Sequence, residues 1–298
     1  MTYSIVARDP ETGELGVAVQ SHYFTVGPIV PWLQAGVGAV ATQSFVEPAY
    51  GLRGLARMAE GTPAPEALAA LVADDEARDV RQVAMVDTQG RVGAHTGARC
   101  IVDAGHRTGD GFSVQANMMR RPTVPDAMHA AYLSTDAPLA ERLVAALVAA
   151  EGEGGDLRGR QSAAIRIVRA ESGDDPWNDV VLDLRVEDHP DPNTELERLV
   201  RMHRGYAKLG RSEELRVSKR DAEADAEAEA ALALLPESIE LGYWYGVQLC
   251  IDGRDAEARP LLDRAFAADD GWRELTRRLP AAGLRADDDA LVARILGS

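Results

Sequence analysis

Thr2-Tyr-Ser-Ile-Val-Ala-Arg8, Asp9-Pro-Glu-Thr-Gly13, Glu14-Leu-Gly-Val-Ala-Val-Gln20: this stretch decides the fold. Two short apolar runs of β type flank a link with Asp-Pro at one end and Thr-Gly at the other. That is turn chemistry, and it predicts a β-hairpin at the N-terminus. A Pro-containing loop (Pro28, Pro31) leads to Gly36-Val-Gly-Ala-Val-Ala-Thr42, a strand of small residues. Residues 49–59 and 65–74 space their apolar residues as helices do, with Pro63 and Pro65 marking the second start. Strands return at 82–87, 91–96 and 112–117, the first two joined by Thr88-Gln89-Gly90. Helices are predicted at 124–133 and 138–151, and strands at 162–168 and 180–186. Strands and helices in separate blocks predict an α+β fold of packed layers rather than βαβ units.

With 298 residues, 46% of them hydrophobic and 27% charged, the composition is globular. Against about 150 residues per domain there is room for two. The composition changes at His189-Pro-Asp-Pro-Asn193, a linker, so the expected domains are 1–187 and a helical 194–298. Residues 239–269 read as a helix–turn–helix with aromatics in its first helix, and dimerisation is a natural task for such an appended bundle. A net charge of −16 speaks against nucleic acid or an anionic membrane as partner. Two distant cysteines, Cys100 and Cys250, form no disulfide framework and fit a reducing compartment. There is no signal-peptide pattern and no apolar run of the roughly 18–20 residues that span a bilayer. The expectation is a soluble cytoplasmic protein.

Four segments carry polar chemistry. Thr2 follows Met1, and removal of the methionine places its hydroxyl beside its own α-amine, a base near neutral pH. Gly154-Gly-Asp-Leu-Arg-Gly-Arg-Gln-Ser-Ala163 brings Asp156, Arg158, Arg160 and Gln161 together before a strand. The arginines suit a carboxylate and Asp156 suits an amine, although a salt-bridged loop has the same composition. Thr42-Gln-Ser-Phe45 and Ser21-His22 lie just past strand ends, which places Gln43, Ser44, Ser21 and His22 where loops present ligand groups. Gly109-Asp-Gly-Phe-Ser-Val-Gln-Ala-Asn117 ends in a carboxamide that suits an oxyanion, or an ordinary strand end. The six histidines show no metal-ligand spacing, and no phosphate-binding glycine loop is present, so neither metal nor cofactor is expected.

The hairpin sequence, Gly36-Val-Gly-Ala-Val-Ala-Thr-Gln43, Ala94-His-Thr-Gly97, Gly109-Asp-Gly-Phe-Ser-Val-Gln-Ala-Asn-Met118 and Gly155-Asp-Leu-Arg-Gly-Arg-Gln-Ser-Ala163 resemble the bacterial domain-of-unknown-function family numbered 1028. The resemblance covers about residues 2–187. It implies the N-terminal-nucleophile (Ntn) hydrolase superfamily, a four-layer αββα sandwich, and a role for Thr2 in attacking an amide. In proteasome-like members a lysine and an aspartate assist the threonine. Here no lysine precedes Lys208, and Val19-Gln20-Ser21 stands where the aspartate should be, which excludes a proteasome-type site. The C-terminal region resembles the tetratricopeptide-like extension found with this family.

These readings converge on an amidohydrolase of Ntn type acting on a small-molecule amide, and on a homo-oligomer, a dimer. Thr2 is the nucleophile and Asn117 or Gln43 holds the oxyanion. Ser21, His22, Ser44, Asp156, Arg158, Arg160 and Gln161 contact substrate, an arginine taking an acidic group. A non-catalytic scaffold whose helical domain contacts a partner remains the alternative. A third reading has Ser4, or Ser21 with His22, act without N-terminal processing.

Overall fold

The N-terminal hairpin pairs β1 (Thr2–Arg8) antiparallel with β2 (Leu15–Ser21), Thr2 opposite Ser21. The structure is a computed structural model describing residues 2–282 and 289–297, so the expected loss of Met1 lies outside the described residues. Among these residues the chain is a mixed α/β protein with two antiparallel sheets, ten α-helices and a helical C-terminal region. Its contacts divide it into two units, one ending at Val200 and the other beginning at Arg201.

The six-stranded sheet of the first unit runs β10 (Val180–Val186), β9 (Ser162–Val168), β2, β1, β8 (Phe112–Asn117), β7 (Gly105–Gly109). The second sheet runs β3 (Pro31–Gln34), β4 (Gly38–Ser44), β5 (Arg81–Asp87), β6 (Val92–Thr96). β3 falls in the expected Pro-containing loop, and β7 on a segment for which the sequence predicts no element. Both are short edge strands; β3 opens on proline, which an edge tolerates, and β7 reads Gly-His-Arg-Thr-Gly with no apolar alternation to reveal it.

Successive strand side chains point to opposite faces, and the clusters follow that period. Tyr3, Ile5 and Ala7 join Val114, Ile165 and the helices α3 (Val124–Ser134) and α4 (Leu139–Gly152) in one apolar cluster. Val6, Val17 and Val19 pack instead with Ala39, Ala41, Ala84 and Val86 of the other sheet. Val40, Val83 and Met85 turn to α1 (Ala49–Ala59) and α2 (Ala64–Asp74). Burial on both faces explains why the hairpin reads as nearly continuous apolar sequence.

The Tyr3 hydroxyl donates to Glu151 Oε2 (2.7 Å) and accepts from Asn193 Nδ2 (2.9 Å). Burial, then the neighbouring Glu151 carboxylate, holds its pKa well above the ordinary tyrosine value. Asn193 also donates to the Leu147 carbonyl, and Leu196 and Val200 enter the cluster under α4. All three lie on α5 (Pro192–Val217). The boundary expected at 187–194 therefore shifts to Val200: the first turns of this helix complete the first unit.

In the second unit, α7 (Ile239–Ile251) and α8 (Asp255–Ala268) pack around Tyr243, which is stacked among Trp244, Phe266 and Trp272 and whose hydroxyl meets Thr276 (2.9 Å). Among the described residues no helix is long and apolar enough to cross a membrane.

Gly16 lets α4 lie close on β2: a Cβ there would stand 2.6 Å from Leu143 Cδ1 and 3.2 Å from Leu139 Cδ2. Gly16→Ala should destabilise the first unit by about 1–3 kcal/mol, the usual cost of overpacking, measured by urea denaturation.

Candidate functional site

At one end of the space between the sheets, the inward positions change from apolar to polar. Thr2 and Ser4 of β1, Ser21 of β2, and Ser113, Gln115 and Asn117 of β8 belong to the six-stranded sheet. Gln43 and Gln82 reach across from β4 and β5. All are buried, Thr2 being 5% exposed and Asn117 2%. A buried polar group left without a partner costs about 1–3 kcal/mol, so this zone holds only if its groups pair with one another.

They pair through Gln82. Its Nε2 donates to the Ala116 carbonyl (2.9 Å), the Gly105 carbonyl (3.2 Å) and Thr96 Oγ1 (3.0 Å). Its Oε1 is thereby turned to accept from Gln43 Nε2 (2.8 Å) and Asn117 Nδ2 (2.9 Å). Both of those nitrogens also donate to the Thr2 carbonyl, at 3.2 and 3.3 Å. Ser4 Oγ donates to Gln43 Oε1 and accepts from Gln115 Nε2, each at 2.6 Å, and Gln115 Oε1 accepts from Ser113. Thr2 Oγ1 donates to Ser21 Oγ (3.1 Å).

Thr96 Oγ1, which accepts from Gln82, also meets His106 Nδ1 at 2.8 Å, and the direction of that bond follows the imidazole tautomer. Burial, and then the charges of Arg107 and His95, lower the His106 pKa.

A cleft of about 200 Å³ borders this network, lined by Ser44, Phe45, Ile101, Asn117, Met118 and Arg158. Ser44 (φ +70°) and Met118 (φ +57°) are left-handed non-glycine residues, each directly following a network residue. Such conformations cost about 1–3 kcal/mol each and gather at functional sites. The buried Asp156 carboxylate holds Arg158, Oδ1 accepting from Nε (3.3 Å) and Oδ2 from Nη2 (3.1 Å), and Oδ2 also accepts the His22 N–H.

The structure thus brings Thr2, Ser21, Gln43, Asn117, Ser44, Asp156 and Arg158 together. Arg160 turns to Asp191 (2.9 Å) and Glu151 (3.6 Å). Gln161 accepts the His189 N–H through its carbonyl, and the His22 ring meets the Arg160 carbonyl rather than Ser21. Sequence reasoning missed Gln82, Gln115, Ser113, Thr96 and His106. Ser113, Gln115 and Asn117 do carry a signal, polar residues at every second position of a buried strand. A roomier hollow of about 680 Å³ lies on α1 and α2, where Tyr50 donates to Asp75. It contains no residue of this network. Among the described residues no group of three side chains is placed to hold a metal ion.

Fold and site define an α/β protein with a polar centre buried between two antiparallel sheets. The chain belongs to the family of unknown function DUF1028, whose model matches residues 2–196. It is similar to the crystal structure of a DUF1028 protein from Silicibacter pomeroyi, at 30% identity over 67% of this chain and 87% of that one, with a TM-score of 0.60. A second solved structure, Anbu (ancestral β-subunit) from Yersinia bercovieri, is 14% identical over 66% of this chain and 91% of its own, with a TM-score of 0.36. No curated protein matches the chain.

Replacing Gln82 with methionine keeps the volume, removes one acceptor from Gln43, and leaves one Asn117 amide hydrogen orphaned. The expected loss is about 1–3 kcal/mol for the orphaned group, read from the denaturation midpoint. His106, whose folded pKa lies below the ordinary histidine value, contributes stability that is present above pH about 6.5 and lost as pH falls through the folded pKa. Stability measured from pH 8 to 5 should fall less steeply in His106→Gln than in the unsubstituted chain.

Proposed function

We propose that the chain is a hydrolase of the N-terminal-nucleophile type, its first unit a four-layer αββα sandwich, which cleaves the C–N bond of a small amide with Thr2. The observation that carries this reading is the place of Thr2. It opens the central strand β1 between Ser21 and Asn117, and two carboxamides hold its carbonyl beside a cleft. The order of the apolar clusters supports the sandwich: α3 and α4 on one sheet, sheet against sheet, then α1 and α2.

With Met1 removed, the Thr2 α-amine, a group titrating near about 7.7–8.0, takes the hydroxyl proton as Oγ1 attacks the amide carbon. The carbonyl electron pair moves onto oxygen. Asn117 Nδ2 donates to that oxygen by exchanging its bond to the Thr2 carbonyl, the longer of its two at 3.3 against 2.9 Å. Collapse breaks the C–N bond, and the proton passes from the α-amine to the departing nitrogen. Water, giving its proton to the same amine, then opens the ester, releases the acid and restores Thr2. No lysine occurs before Lys208, so no side-chain amine of the first unit competes for the role of base.

A second reading is a non-catalytic binding module with the helical region, read as tetratricopeptide-like, contacting a partner. It is favoured by the burial of Thr2 and by the carboxamide hydrogens already engaged with protein acceptors. An amide-reactive covalent probe separates the two. The hydrolase is expected to label at Thr2, with Thr2 the first residue by intact mass, and Thr2→Ala is expected to lose both label and turnover. Active protein that retains Met1 would sink the reading.

A further inference from the structure

The donors of the cleft are unequally committed. The two Asn117 amide hydrogens have two acceptors, and the two of Gln43 have three. Ser44 differs. Its hydroxyl makes no hydrogen bond among the described residues, although it lines the cleft, and its backbone is held at φ +70° where glycine would be the unstrained choice. Arg158 faces the same cleft, its guanidinium oriented by Asp156, which is 1% exposed. Arg160, its neighbour in sequence, is drawn away by Asp191 and Glu151.

The remaining walls are apolar and open. Phe45 is 57% exposed and Ile101 43%. Exposed aromatic and branched side chains at the mouth of a small polar cleft mark a ligand that is apolar beyond its charged end. The 200 Å³ corresponds to the liquid volume of about seven waters, which admits an amino-acid-sized body and no folded chain.

We propose that this cleft is a recognition subsite for a small carboxylate bearing an apolar arm. Ser44 Oγ and Arg158 hold the carboxylate, and Phe45 and Ile101 cover the arm. This rests on the hydrolase reading for its amide, and together the two define the substrate class as N-acyl amino acids with an apolar side chain. Serine gives the carboxylate one directional hydrogen bond, and the guanidinium supplies the charge and a planar face.

Binding is measured by calorimetry on the full chain carrying Thr2→Ala, or Thr2→Val if the alanine variant melts early, so that turnover does not enter. The probes are N-acetyl-leucine, its uncharged carboxamide, and acetate. The acid is expected to bind at least about tenfold more tightly than the carboxamide, as loss of a charge-assisted bond requires. Acetate, lacking the arm, is expected to bind more weakly than the acid. Ser44→Ala should cost the acid about tenfold and leave the carboxamide unchanged, and Phe45→Ala should weaken both. Equal binding of acid and carboxamide, binding of none of the three, or full acid affinity in Ser44→Ala would overturn the subsite. Hydrolysis by the unsubstituted chain is read separately. Acid preference without turnover removes the hydrolase reading alone, and turnover without acid preference removes the subsite alone.

Discussion

Everything at the polar end of the first unit depends on one side chain's orientation. Gln82 faces two backbone carbonyls with its Nε2, and carbonyls can only accept, so the amide cannot be reversed without setting acceptor against acceptor. From that follows the direction of Gln43 and Asn117, and from theirs the two hydrogen bonds on the Thr2 carbonyl. Three strands of one sheet and two of the other are in this way held to one register by groups whose separation would leave polar atoms dry and unpaired. The apolar clusters bring the sheets together, but such contacts are non-directional. The carboxamides decide where along the strands the sheets meet.

The same commitment shapes the chemistry. A carboxamide already bonded at both hydrogens must give one up before it serves an incoming oxygen, so the network is a positioning device first. Ser44 stands one residue further out, where β4 has ended and the backbone has turned left-handed, and Arg158 reaches the same cleft from the loop before β9. Thr2 sits at the seam between these regions, with rigid polar packing behind it and the open cleft beyond Asn117.

How much of this could be read in the sequence varies with the range of the interactions. The β1–β2 hairpin was legible because its signals are local: two short apolar runs and the turn between them. The helix starts at Pro63, Pro65 and Pro138 were legible for the same reason. The edge strands β3 and β7 were not, since four or five residues with proline or polar side chains carry no period. The sequence offered Asp156 and Arg158 either as separate substrate contacts or as parts of a salt-bridged loop. What separates Arg158 from Arg160 is the position of Asp191 and Glu151, a fact of tertiary structure. Gln82 is one glutamine in an ordinary strand until its neighbours from 34 and 35 positions away arrive.

The strand order also sets an order in time. β1 precedes β8 in the chain, yet the two are neighbours in the middle of the sheet, Thr2 opposite Asn117. At the roughly 5–20 residues per second of synthesis, seconds pass before the strand that seals Thr2 has been made, and longer before Asn193 reaches the Tyr3 hydroxyl. During that interval both edges of the hairpin are open, that of β1 awaiting β8 and that of β2 awaiting β9. A central strand that precedes its partner in the chain keeps the polar end of the sheet uncovered until β8 pairs with it.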